Sequence, residues 1–158
     1  MLRNAVDFTP HGHPDQPGHL SNLGTCFKVR FECLGELSDL EDAISRHRDA
    51  VDLTPHGHPH KPILLNSLGN SLITCFECLG ELSDLEDAIS RHRDAVDLTP
   101  EGHPSKPGCL NNLGNSLFTC FECLGELSDL EEAIVRYRDA VGLTPHRHPH
   151  KLGCLCNL

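Results

Sequence analysis

The sequence repeats itself every 45 residues, and this period limits what the chain can fold into. The motif AVDFTP at residues 5–10 returns as AVDLTP at 50–55 and 95–100, and as AVGLTP at 140–145. Residues 31–55 are identical to residues 76–100. Regular self-similarity of this length is typical of arrays in which each repeat packs against its neighbours. We therefore predict a repeat protein rather than a domain with one central core.

Each copy contains two apolar stripes with helical spacing, and no strand pattern competes with them. The first stripe of the second copy consists of Leu65, Leu68, Leu72, Phe76 and Leu79. Residues three and four apart share one face of a helix, so this stripe predicts a helix with one buried face. A glycine follows the stripe in every copy, at Gly35, Gly80 and Gly125, and we expect it to end the helix.

The second stripe begins at Ser-Asp-Leu-Glu, which has the pattern of a capping box. In the first copy this motif starts at Ser38, and Leu40, Ala43, His47 and Ala50 follow on one face. All eleven prolines fall outside the two stripes, in clusters between the repeats. Because proline interrupts helix interiors, this placement leaves two uninterrupted helices per repeat.

A glycine inside the first helix of each repeat predicts a close helix–helix contact. Such a residue costs about 1 kcal/mol relative to alanine, so its small size must serve packing. We expect each glycine to meet an alanine of the second helix: Gly24 with Ala43, Gly69 with Ala88, and Gly114 with Ala133.

These residues carry a resemblance to a known family. In the second copy the matching positions are Leu68, Gly69, Leu72, Gly80, Ala88, His92, Ala95 and Pro100. Their pattern resembles the tetratricopeptide repeat, whose usual length is about 34 residues. More narrowly, it resembles the long repeats of fungal proteins that also carry caspase-like CHAT or nucleotide-binding signalling domains. The resemblance implies an all-α fold, a right-handed α-solenoid of stacked helix-turn-helix repeats.

The period divides the chain into three complete repeats and two partial ones. We predict the end of a preceding half-repeat at 1–10, repeats at 11–55, 56–100 and 101–145, and the start of a truncated repeat at 146–158. The partial units leave two alternatives open. One is a fragment of a longer array with no independent function, and the other is head-to-tail self-association through the open ends.

Charge and composition exclude several classes of partner. The formal net charge is −10 and only 4% of the residues are aromatic. Binding to nucleic acid or to an anionic membrane surface requires clustered Lys and Arg, so we expect neither partner. The nine cysteines are an odd number, and no export signal precedes them. Reduced thiols in a cytoplasmic protein are the expected state.

Histidines and cysteines raise the alternative of a zinc-binding repeat array. Histidines cluster in the proline-rich loops, and two Cys-x-x-Cys pairs occur at Cys75–Cys78 and Cys120–Cys123. A structural zinc site needs four fixed ligands, whereas these pairs lie within predicted helices and 45 residues apart. We therefore expect no metal and no cofactor. Because no phosphate-binding loop and no catalytic Cys–His context occurs either, we predict that the chain is not an enzyme.

The resemblance implies that the first helices line a concave groove. The polar side chains beside the apolar stripe, with two apolar neighbours, form our candidate peptide-binding set: Ser21, Asn22, Asn66, Asn70, Ile73, Asn111, Asn112, Asn115 and Phe118. Asparagine both donates and accepts hydrogen bonds, so a row of asparagines can hold the backbone of an extended peptide. We predict a non-catalytic scaffold that binds an unidentified protein or peptide there, as the interaction arm of a larger signalling protein.

Overall fold

The computed structural model describes residues 13–144, and this part of the chain is entirely helical apart from its turns and loops. The six helices are α1 (Gln16–Leu34), α2 (Leu37–Asp52), α3 (Lys61–Leu79), α4 (Leu82–Leu98), α5 (Lys106–Leu124) and α6 (Leu127–Leu143). They form three hairpins, α1–α2, α3–α4 and α5–α6. The half-repeats predicted at 1–10 and 146–158 lie outside the described residues.

The hairpins stack in chain order. Each second helix packs against the first helix of the next hairpin, α2 on α3 and α4 on α5. The first helices of neighbouring hairpins also contact one another. Apolar residues of both helices form a core that continues from one hairpin to the next, including Leu65, Leu68, Ala95 and Leu110. The predicted all-α solenoid of helical repeats is therefore confirmed.

The turn inside each hairpin is made by the predicted glycine. Gly35, Gly80 and Gly125 adopt left-handed conformations, with φ of 74°, 75° and 75°. This region is accessible to glycine without the steric cost of a Cβ atom. In all three hairpins the glycine N–H donates to a phenylalanine carbonyl four residues earlier, as in the 2.7 Å bond from Gly35 to Phe31.

The predicted capping box is wrong. α2 begins at Leu37, its N-cap is Glu36 in an extended conformation, and no side chain caps it. Ser38 therefore lies inside the first helical turn, where its hydroxyl cannot act as a cap. The reason is the short connection: the chain leaves the left-handed glycine, takes one extended residue and enters the next helix at once. The same geometry recurs at Glu81 and Glu126.

The first apolar stripe is buried for most of its length but not at its end. In α3, Leu65, Leu68 and Leu72 are between 2% and 4% exposed. Leu79, the last residue of the predicted stripe, is 51% exposed. The equivalents Leu34 and Leu124 are 65% and 49% exposed, because they lie at the turn, beyond the reach of the neighbouring hairpin.

The mid-helix glycines do mark close contacts, but the main partner is not the predicted alanine. A Cβ atom on Gly69 would lie 2.5 Å from Nε2 of His92, and one on Gly114 would lie 2.7 Å from Cε1 of Tyr137. On Gly24 it would lie 2.8 Å from His47 and 3.1 Å from the Ala43 carbonyl oxygen. The glycine thus makes room for a ring that stands one helical turn beyond the alanine.

A buried lysine joins each of the last two hairpins to the one before it. Lys61 Nζ donates to the carbonyls of Val51 and Thr54, at 2.6 and 2.7 Å. Lys106 repeats this arrangement with Val96 and Thr99, at 3.0 and 2.8 Å. These carbonyls lie at helix C-termini, where backbone acceptors lack helical partners and a positive charge is favourable.

We expect Lys106→Met to lower the free energy of unfolding by about 1–3 kcal/mol, the range for leaving buried acceptors without a donor. Methionine retains most of the apolar stem, so the loss reports on the ammonium group. Urea denaturation followed by circular dichroism measures it. Arg138→Met, at an exposed position, is the matched control and should change stability by less than about 0.5 kcal/mol. Equal effects of the two substitutions would contradict the proposed role of the lysine.

Candidate peptide-binding face

Two buried histidines connect neighbouring hairpins through hydrogen bonds. His47 Nδ1 lies 2.9 Å from Oγ of Ser71, and His92 Nδ1 lies 2.8 Å from Oγ of Ser116. In each case the histidine belongs to the second helix of one hairpin and the serine to the first helix of the next. All four side chains are at most 2% exposed.

The opposite ring nitrogen faces the first helix of the histidine's own hairpin. His47 Nε2 lies 3.2 Å from the main-chain oxygen of Ser21. Because a carbonyl can only accept, Nε2 carries the proton in the neutral ring, and the Ser71 hydroxyl donates to Nδ1. His92 Nε2 likewise faces α3, the first helix of its own hairpin.

Both rings are held in the neutral state. Burial is the main cause of the lowered pKa of His47, which the hydrogen bond to Ser21 opposes. Burial likewise lowers the pKa of His92 to about 4. A charged imidazolium loses its hydration in this interior, so protonation is disfavoured. The histidines are structural links between hairpins and are not poised for acid–base chemistry near neutral pH.

Two asparagines of the predicted set form hydrogen bonds with buried rings, one with His92 and the other with Tyr137, which occupies the equivalent position in the third repeat. Asn70 Oδ1 lies 3.2 Å from His92 Nε2, and Asn115 Oδ1 accepts from the Tyr137 hydroxyl at 2.9 Å. Their amide oxygens therefore help to position buried aromatic rings. The third repeat has Tyr137 where the second has His92, and the hydrogen bond between ring and asparagine is present in both.

Two further asparagines pair across hairpins. Asn112 Nδ2 donates to Oδ1 of Asn66 at 3.0 Å, linking α5 to α3. Each of these amides retains further hydrogen-bonding capacity, since asparagine has two donor hydrogens and an oxygen with two lone pairs. Asn66, Asn111 and Asn112 are all half-buried.

A cleft of about 1190 Å³ opens beside these three asparagines. It lies between the loop that precedes α3 and the loop that precedes α5, and its walls include His58, Ile63, His103 and several prolines. Lys61 and Lys106 also border it. The cleft is thus lined by apolar rings and side chains, with amide groups on one side.

The remaining members of the predicted set do not border this cleft. Ser21 is half-buried and Asn22 exposed at the start of α1, while Ile73 is half-buried in the middle of α3. Phe118 is 39% exposed, and its ring centroid lies 6.4 Å from that of Phe121. The cleft residues that our prediction missed are Ile63, in the first turn of α3, and residues of the loops such as Pro59 and Pro104.

No group of three or more His, Cys, Asp or Glu side chains within residues 13–144 is arranged to hold a metal ion. The Cys-x-x-Cys pairs are split by the helix, because Cys75 and Cys120 face the core while Cys78 and Cys123 are exposed. Burial is the main cause of the raised pKa of Cys75, about 12, and of Cys120, about 11, with a contribution from hydrogen bonds to Asp84 and Asp129.

We therefore expect two classes of cysteine in alkylation experiments. Iodoacetamide reacts with the thiolate, so at about pH 8 Cys78 and Cys123 should be modified at least about tenfold faster than Cys75 and Cys120. Mass spectrometry of timed digests gives the rates. In urea, where burial is lost, the rates should converge, which serves as the control. Fast labelling of Cys75 in the folded chain would contradict the arrangement described here.

The segments that the structure describes contain no helix that combines the length and the apolar character needed to cross a membrane.

Comparisons with known proteins agree with this architecture. The model of the tetratricopeptide repeat family matches residues 108–150. Among solved structures, the crystal structure of a de novo designed helical repeat protein superposes with a TM-score of 0.56 at 16% sequence identity. The match covers 90% of this chain and 70% of that one. No curated protein matches the chain.

The stacked hairpins and the structural match define a helical-repeat protein. The family match in the third repeat supports a tetratricopeptide-like repeat in particular. Proteins with such repeats generally mediate protein interactions.

Proposed function

We propose that this chain is a non-catalytic interaction scaffold that binds an extended segment of a partner protein on the face formed by its first helices. The observation that carries the proposal is the cleft of about 1190 Å³ beside Asn66, Asn111 and Asn112. These three are the members of the predicted groove set that border an open space large enough for several residues of peptide.

The chemistry of the cleft suits a peptide in extended conformation. Such a peptide presents alternating N–H and C=O groups, which asparagine amides can accept from and donate to. The prolines and Ile63 offer apolar surface for its side chains. Contacts between the first helices of neighbouring hairpins support their place on the inner face of the array.

A structural role for the buried reactive side chains supports the absence of catalysis. A nucleophilic cysteine needs a lowered pKa, whereas Cys75 and Cys120 have raised ones.

The proposal also includes the division into repeats at 11–55, 56–100 and 101–145. It further includes a cytoplasmic location and a role as the interaction arm of a larger signalling protein.

Selection from a random peptide library displayed on phage tests the proposal. The selected peptides should bind the full chain in fluorescence anisotropy, and Ile63→Ser should weaken binding by at least about tenfold, the factor for roughly one lost apolar contact. Ile63 is 58% exposed in the cleft, so the substitution spares the core.

Val29→Ser is the matched control, because Val29 is 51% exposed but does not border the cleft. It should leave the affinity within about twofold, as expected for a residue outside the contact. Equal weakening by both substitutions, or a library that yields no binder, would contradict the proposed site.

A further inference from the structure

The three hairpin turns bring exposed leucines to one edge of the solenoid. Each turn has a leucine on either side of its glycine, and all six are between 42% and 65% exposed: Leu34, Leu37, Leu79, Leu82, Leu124 and Leu127. We call these residues the leucine edge. Large aliphatic side chains that recur on one exposed edge are typical of an interaction surface.

Neighbouring turns lie at the same edge of the stacked hairpins. Glu41, after the first turn, and Asp84, after the second, line the same surface pocket. The third hairpin packs on the second as the second packs on the first. The leucines of successive turns therefore follow one another along the array.

Carboxylates lie within four residues of the leucines at the second and third turns. Six exposed glutamates lie there, none of which forms an ion pair within residues 13–144: Glu77, Glu81, Glu86, Glu122, Glu126 and Glu131. No lysine or arginine occurs at 76–90 or 121–135. This part of the edge thus combines apolar side chains with uncompensated negative charge.

The first turn differs because cations offset part of its negative charge. Arg30 forms an ion pair with Asp39, and Lys28 pairs with Glu32. At the position of Arg30 the later repeats have Cys75 and Cys120. Uncompensated negative charge is therefore most concentrated at the second and third turns.

We propose that the leucine edge of these two turns docks a basic amphipathic helix of a partner protein. Its apolar side chains would contact the leucines, and its lysines or arginines would pair with the glutamates. Charge complementarity favours a basic partner over a second copy of this chain. The chain has a net charge of −10, so a second copy would bring like charges together. This surface lies at the other end of the helices from the cleft, and α3 with its 19 residues is about 28 Å long.

A synthetic 18-residue peptide of leucine and lysine with an amphipathic helical pattern is the probe. Its affinity for the full chain is compared with that of a peptide of the same composition in scrambled order. The double substitution L79S/L82S should weaken binding of the patterned peptide by at least about tenfold, since it removes two apolar contacts. The control is L53S/L98S, which should leave the affinity within about twofold. Its leucines are 49% and 42% exposed, which matches the 51% and 42% of Leu79 and Leu82.

A second pair of variants tests the charges. E81Q/E126Q should weaken binding and reduce its dependence on salt, because the ion pairs are screened by salt. Equal affinity of the patterned and scrambled peptides, or equal loss in the two leucine variants, would overturn the proposal. Peptides selected for the cleft should bind L79S/L82S normally, so failure here is distinguishable from failure of the proposed function.

Discussion

Gly69→Ala will lower the free energy of unfolding by about 2 kcal/mol, although alanine is intrinsically the better helix former by about 1 kcal/mol. The added Cβ would lie 2.5 and 2.6 Å from two atoms of the His92 ring. This ring cannot move aside cheaply, because it is 1% exposed and bonded to Ser116. Urea denaturation monitored at 222 nm measures the change.

Gly108→Ala is the matched control within the same kind of helix. No atom lies within 4 Å of a Cβ at Gly108, so helix propensity alone applies there. We expect a gain of up to about 1 kcal/mol. If Gly69→Ala were neutral or stabilising like the control, the close contact between glycine and histidine would be refuted.

Acidification will destabilise the protein through the buried histidines. The ordinary pKa of 6.5 applies to His92 in the unfolded chain, and burial lowers it to about 4 in the fold. The unfolded state therefore binds the proton first, so stability is complete above about pH 6.5 and is lost as the pH falls towards 4. Between about pH 7.5 and pH 5 we expect a loss of about 2 kcal/mol from His92 alone. The lowered pKa of His47 adds in the same direction.

The pH series is compared with that of His92→Gln, which cannot titrate. Its stability should fall by about 2 kcal/mol less over the same interval, whatever its stability at neutral pH. Gly108→Ala, which removes no titratable group, should retain the slope of the original chain. A titration of the His92 ring by NMR gives the pKa directly. A value near 6.5 would rule out the assigned burial effect.

The repeat and the helices could be predicted from sequence because both depend on local patterns. The stripe of α3 and the left-handed Gly80 follow from spacing and from the conformational range of glycine. The spacing alone did not show that Leu79 lies beyond the neighbouring hairpin, so its exposure could not be inferred. The prediction of a capping box failed for a similar reason. The helix begins at Leu37, directly after the extended Glu36, so Ser38 already lies inside its first turn.

The links between hairpins could not be predicted, because they depend on the register of one helix against another. Nothing in the spacing of His92 and Ser116 identifies them as partners 24 residues apart. The buried Lys106 likewise looks like an ordinary charged residue until its carbonyl acceptors are known. For the candidate binding face, asparagine chemistry indicated the first helices, whereas the cleft is also bordered by loop residues such as His58 and Pro59.

The central claim is that this solenoid holds an extended peptide in the cleft between its second and third hairpins. Chemical-shift mapping with a peptide selected from the phage library tests it most directly. We expect the largest shifts in the amides of Asn66, Gly108, Asn111 and Asn112, which border the cleft. Shifts concentrated at the hairpin turns, with none beside the cleft, would contradict the claim.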